Sequence, residues 1–139
     1  MTLTRHAPSI GLLACVALLV SLIVPYVVLP ETTHAGLGVY YEQGWFGPLV
    51  IGAFAAVAVV AFGAALRERA DPATIAGASL VLGAFLLVMS LQWALAVPDG
   101  LVRSISTEAW LEYHRWLVVT LAGVVLASAG GYARALGFL

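Results

Sequence analysis

The chain has no lysine and no asparagine, a single cysteine, and charged residues at only 9% of its 139 positions. Each scarcity excludes something. Six basic residues, all arginine, meet seven acidic ones for a net charge of -1, so no basic surface exists to hold a nucleic acid. Cys15 alone forms no internal disulfide and no Cys-x-x-Cys redox pair. Soluble domains are about 25% charged and about 45–50% apolar, whereas this chain is 63% hydrophobic. That composition excludes a soluble globular enzyme and a disordered chain alike. The mean hydropathy of +1.04 points to a membrane protein.

Long apolar runs take the place of charge. Four stand out, at about 9–29, 46–66, 73–97 and 116–133, and none contains Asp, Glu, Arg or His. Each approaches the 20 or so residues that cross a bilayer as a helix. None alternates with the period of two that a barrel strand needs. Pro30 closes the first run, Pro48 opens the second, Pro72 stands in the first turn of the third, and Pro98-Asp99-Gly100 ends it as a turn. Pro25 lies inside the first run and is expected to kink it. Ser106 or Thr107 could cap a helix that begins ahead of the fourth run, with Glu108, Glu112 and Arg115 on its first turns outside the hydrocarbon. The expected fold is all-α: one domain, 1–139, built as a transmembrane four-helix bundle with helices at about 9–29, 46–66, 73–97 and 107–133.

The first run is too long for a cleaved signal peptide, and Leu13 is too bulky for a lipoprotein box ending at Cys15, so a retained helix is expected. Arg5, Arg67, Arg69 and Arg134 fall on one side of the bundle, and Arg103 and Arg115 on the other. By the positive-inside rule both termini are cytoplasmic in a multi-pass protein of the cell membrane. The outer side then holds all four tryptophans, with Tyr26, Tyr40, Tyr41, Phe46 and Tyr113, as an interfacial belt or as the rim of a site. Arginine without lysine suggests a GC-rich prokaryotic genome.

Helices in a bilayer associate where small residues let backbones approach. Gly52 with Ala56, Ser79 with Gly83, and Gly123 with Ala127 and Gly131 are the candidate packing positions. Gly11 with Cys15 and Ala17 with Ser21 offer the same spacing in the first helix.

Chemistry is harder to find. No apolar run carries a charge, which argues against an ion-coupled transporter. His34 and His114, with Glu112 nearby, lie in separate outer segments and make no metal motif. Gln92 is expected to bond a backbone or a neighbouring helix. The densest polar stretch is 110–116, where Glu112 and Arg115 are three apart and could pair on a helix. Trp45, Trp110, Glu112, His114, Arg115 and Trp116 are therefore the candidate contacts of an outer rim. No catalytic, cofactor-binding or metal-binding residue is expected, and no cofactor.

The leading expectation is a non-enzymatic accessory, assembly or scaffold subunit in the bilayer, with a protein partner or a second copy of itself. The alternative is a binder or carrier of a lipid, quinone or other small apolar ligand at the aromatic rim. A pore or a rim-site enzyme is the third.

Overall fold

In the computed structural model, which describes residues 2–45, 47–105 and 109–139, the described residues form helices and connecting turns. The order is α1 (Thr2–Val28), a short 3-10 turn (Glu31–Thr33), α2 (His34–Tyr41), α3 (Pro48–Leu66), α4 (Pro72–Ala96), α5 (Asp99–Ile105) and α6 (Ala109–Ala135). Four of these are long and apolar enough to cross a membrane, over Arg5–Val28, Pro48–Leu66, Pro72–Ala96 and Trp110–Ala135. Even the shortest, at 19 residues, is about 28 Å long, close to the thickness of a hydrocarbon core.

The ends of these helices follow local chemistry. Asp71 caps α4, its carboxylate accepting from the Thr74 amide at 3.1 Å and the Thr74 hydroxyl at 3.0 Å, and Pro72 fills the first helical position. Both α3 and α6 end in the same paired motif. The Arg69 amide donates to the Ala64 carbonyl and the Glu68 amide to Ala65. At the other terminus Phe138 donates to Ala133 and Gly137 to Arg134. The motif needs a left-handed residue, which is Gly137 in one case and Glu68, at φ 53°, in the other. Phe46 and the proposed caps Ser106 and Thr107, with Glu108, lie outside the described residues.

The long helices form a ring in which α1 packs on α3 and α6, and α4 packs on α3 and α6. Its interior is filled by Cys15 and Leu18 of α1, Ile51, Ala58 and Phe62 of α3, Leu86 of α4, and Val118 and Val125 of α6. Two glycines mark close approaches. The Phe62 ring lies over Gly11, where a Cβ would fall 2.6 Å from it, and a Cβ on Gly83 would lie 2.9 Å from the Leu126 Cα.

The small-residue pairs divide unevenly. Ser79 and Gly83 are buried between α4 and α6. Ala56 is exposed, and Gly52 is half-buried, where a Cβ would meet the side chains of Leu19 and Leu22 at ordinary contact distance. Ala127 is also exposed, Gly123 faces open space, and Gly131 touches Ala7. The faces actually used are Ile51, Ala55, Ala58 and Phe62 on α3, and Val118, Ala122, Val125 and Ala129 on α6. Each residue turns a helix by about 100°, so a shift of one position moves a small-residue pair off the interface.

The segments read as outer loops contain α2 and α5. Both are shorter than a peptide helix that stands alone in water. They persist by docking, with Leu37 and Tyr40 of α2 and Val102 of α5 buried in the end of the bundle.

Candidate functional site: a polar-aromatic cluster and a lateral groove

Pro25 organises one end of the bundle. It has no N–H, so the Ser21 carbonyl, four residues back in α1, lacks its helical donor. His114 of α6 supplies one: its Nε2 lies 2.5 Å from the Ser21 oxygen. A carbonyl only accepts, so Nε2 carries the hydrogen. Nδ1 of the neutral ring then accepts from the Tyr40 hydroxyl at 3.0 Å. One residue on, the Leu22 carbonyl accepts from the Tyr41 hydroxyl at 2.5 Å. The Tyr40 carbonyl takes the Trp93 indole N–H at 2.9 Å, which ties α2 to α4.

The rings stack around these bonds. Tyr40 and Trp93 meet edge to face at 5.1 Å, Tyr41 and Trp93 at 5.7 Å, and Trp110 approaches His114 at 6.4 Å. Burial raises both Tyr40 and Tyr41 above the ordinary tyrosine value, so each keeps the proton it donates. Tyr40 and Trp93, expected in a belt at the lipid surface, are fully buried core residues instead. His114, expected at a loop or interface, is buried and committed at both nitrogens. His34 bonds the Tyr26 carbonyl at 3.0 Å and packs on the Tyr26 ring. Among the described residues no three His, Cys, Asp or Glu side chains gather as a metal site would require.

The expected Glu112–Arg115 pair is not formed. Glu112 bonds Arg103 of α5 at 3.3 Å, and this pair is largely exposed. Arg115 is buried, and it donates to the Val97 carbonyl at the end of α4 across 3.3 Å. Residues three apart sit on neighbouring turns, but here α4 and α5 draw the two side chains to different partners. Trp116 is partly exposed, with the Arg115 guanidinium 5.7 Å from its ring.

Trp45 stands away from the other rim candidates. It is 92% exposed and borders a groove of about 440 Å³ between α3 and α4, on the opposite side of the ring from the α1–α6 contact. Its amide donates to the Gln92 side-chain oxygen at 2.8 Å, and the Gln92 amide nitrogen donates to Met89. Gly44, at φ 79°, holds this turn; a Cβ there would collide with the same Gln92 oxygen.

A larger groove of about 610 Å³ lies between α1 and α6. Ala17, Val20 and Val24 form one wall and Tyr113, Leu117 and Leu121 the other. Ser21, His114 and Trp110 complete it, which places it directly against the cluster. Beside it, a smaller pocket of about 230 Å³ is lined by Arg103, Glu112, Arg115 and Trp116. Tyr113 borders both. Sequence reasoning missed Val20 and Val24, and read Ala17, with Ser21, as a helix-packing position rather than a groove wall. The one available signal was Pro25 placed four residues after Ser21, which leaves an acceptor that another helix must meet.

Four helices long and apolar enough to span a membrane, with a lateral apolar groove, point to the class: a multi-pass membrane protein with a cleft beside its own helices. The chain belongs to a family of unknown function, DUF7548, which matches residues 1–137. No curated protein and no solved structure matches it.

Proposed function

We propose that this protein is a non-enzymatic binder of a small membrane-dissolved amphiphile, which it holds in the groove between α1 and α6. The groove itself carries the reading. At about 610 Å³ it falls within the roughly 300–1,000 Å³ of small-ligand sites, and its lining is almost wholly apolar. His114 supports a binding role over a catalytic one, since both ring nitrogens are spent holding α1, α2 and α6 together. Purification in mild detergent, followed by mass analysis of the extract, tests the reading. The wild type should retain one amphiphile in stoichiometric amount. Ala17→Phe, at an exposed position, should fill the groove and lose it. Equal retention by both proteins would overturn the proposal.

A second reading, an accessory, assembly or scaffold subunit, is favoured by a different observation. Ala56 and Ala127 face outward, so their small-residue pairs are not consumed within the bundle and remain open to a partner helix or a second copy. A protein that co-purifies in fixed ratio and is lost in Ala56→Leu would support it.

In the proposed topology both termini are cytoplasmic in the cell membrane, by the four-to-two arginine bias. The absence of lysine is in keeping with a prokaryotic source. In a Cys15→Ala background, cysteines at positions 2 and 70 should resist an impermeant reagent in intact cells, and one at position 36 should react. The reverse pattern would invert the topology.

A further inference from the structure

We infer that the α1–α6 groove and the Arg103–Arg115 pocket are two halves of one site for a lipid with an anionic phosphate headgroup, its tail in the groove and its head in the pocket. The inference rests on the binding role proposed above and names the ligand class. Continuity comes first. Tyr113 borders both cavities, so a single molecule can bend over its ring from one to the other. Chemistry comes second. The groove is apolar almost throughout and offers only dispersion contacts, which suits hydrocarbon. The pocket is lined by Arg103, Arg115 and Glu112; Arg103 is exposed and holds Glu112 only through a solvent-facing pair that a headgroup can displace, while Arg115 is buried against the Val97 carbonyl. Guanidinium forks match phosphate oxygens, and an interfacial arginine favours an anionic headgroup.

Length comes third. From Trp110 to Leu121 the groove follows α6 for about 16 Å, half of the roughly 30 Å hydrocarbon core. That length is the depth of one leaflet, which suits an acyl tail that ends near the bilayer midplane. The groove also starts at the end of the bundle where α5 presents Arg103, the level at which a headgroup lies.

Native mass spectrometry of delipidated protein in neutral detergent tests this, with dioleoylphosphatidylglycerol, dioleoylphosphatidylcholine and inorganic phosphate as separate probes. The anionic lipid should bind roughly five- to tenfold more tightly than the zwitterionic one, and the preference should shrink as salt is raised. Arg103→Gln should abolish the preference and leave phosphatidylcholine binding unchanged. Glu112→Gln should act in the opposite sense and tighten the anionic lipid. Both positions are solvent-exposed, so neither variant threatens the fold, and a merely structural disturbance would not change sign between them. Ala17→Phe should weaken both lipids. Equal binding of the two lipids, or no response to Arg103→Gln, overturns the anionic headgroup and leaves the apolar binder standing. Displacement of the lipid by inorganic phosphate at similar concentration overturns the lipid assignment. Indifference to Ala17→Phe sinks both the inference and the binding role.

Discussion

At the scale of single residues, Pro25 and His114 are two parts of one device. Proline withdraws a backbone donor from α1, and the imidazole of α6 replaces it. His114→Ala should cost about 2–4 kcal/mol in detergent melts, because it leaves the Ser21 carbonyl buried without its donor, takes the acceptor from the Tyr40 hydroxyl and opens a cavity. In a Pro25→Ala background the helix regains the missing N–H, and the same histidine substitution should cost about 1 kcal/mol less or better. Additive effects in this double-mutant cycle would mean that the Ser21 carbonyl does not depend on His114. The exposed Glu112–Arg103 pair is energetically minor by comparison, since ion pairs in water contribute about 0–1 kcal/mol.

At the scale of elements, the contact between α4 and α6 depends on size. Gly83 meets the Leu126 backbone directly, and Ser79 and Ser90 continue the same narrow face of α4. Ser90 fits as a small residue: its buried hydroxyl has no hydrogen-bond partner among the described residues. Gly83→Leu must push the helices apart and should cost about 1–3 kcal/mol. Ala56→Leu, on the exposed side of α3, should change the monomer by less than about 0.5 kcal/mol. Thermal unfolding of the two variants side by side checks the assignment; similar losses would mean that α3 is wrongly oriented. The short helices obey another rule. Their sequences are too brief to hold a helix alone, and their anchors Leu37, Tyr40 and Val102 stabilise them only once the bundle is present.

At the scale of the whole molecule, α2 closes one end of the ring through two protonated tyrosines. Their hydroxyls ionise well above the ordinary tyrosine value in the fold, and near pH 10 in the unfolded chain. Above about pH 10 the unfolded state therefore binds fewer protons than the native one, and stability falls as pH rises; below that both states are protonated and these groups add no slope. Melting temperature should accordingly be insensitive to these tyrosines up to about pH 9 and decline beyond pH 10. Tyr41→Phe should flatten the alkaline decline while losing the Leu22 hydrogen bond at every pH. An unchanged alkaline profile in that variant would remove Tyr41 from the closure.

Sequence alone determined the number of helices long and apolar enough to cross a bilayer, because a bilayer admits only backbones whose hydrogen bonds are satisfied internally, and four charge-free runs of sufficient length suit a helix. It also marked the helix ends at Pro48, Pro72 and Pro98, where the signal is local chemistry. Gln92 was legible for a related reason, as an amide in an apolar run must bond something near it. The rest belonged to the tertiary structure. A span that is apolar on every side carries no stripe to say which face turns inward, so Ala56 and Ala127 were indistinguishable from Gly83 until the neighbours were in place. The partners of Glu112 and Arg115 come from α5 and the end of α4, 9 and 18 residues back along the chain, where the turn from α4 through α5 into α6 sets the contact. His114 read as an interfacial residue because its acceptor, the Ser21 carbonyl, lies 93 residues away, and only the packing of α6 on α1 brings the two together.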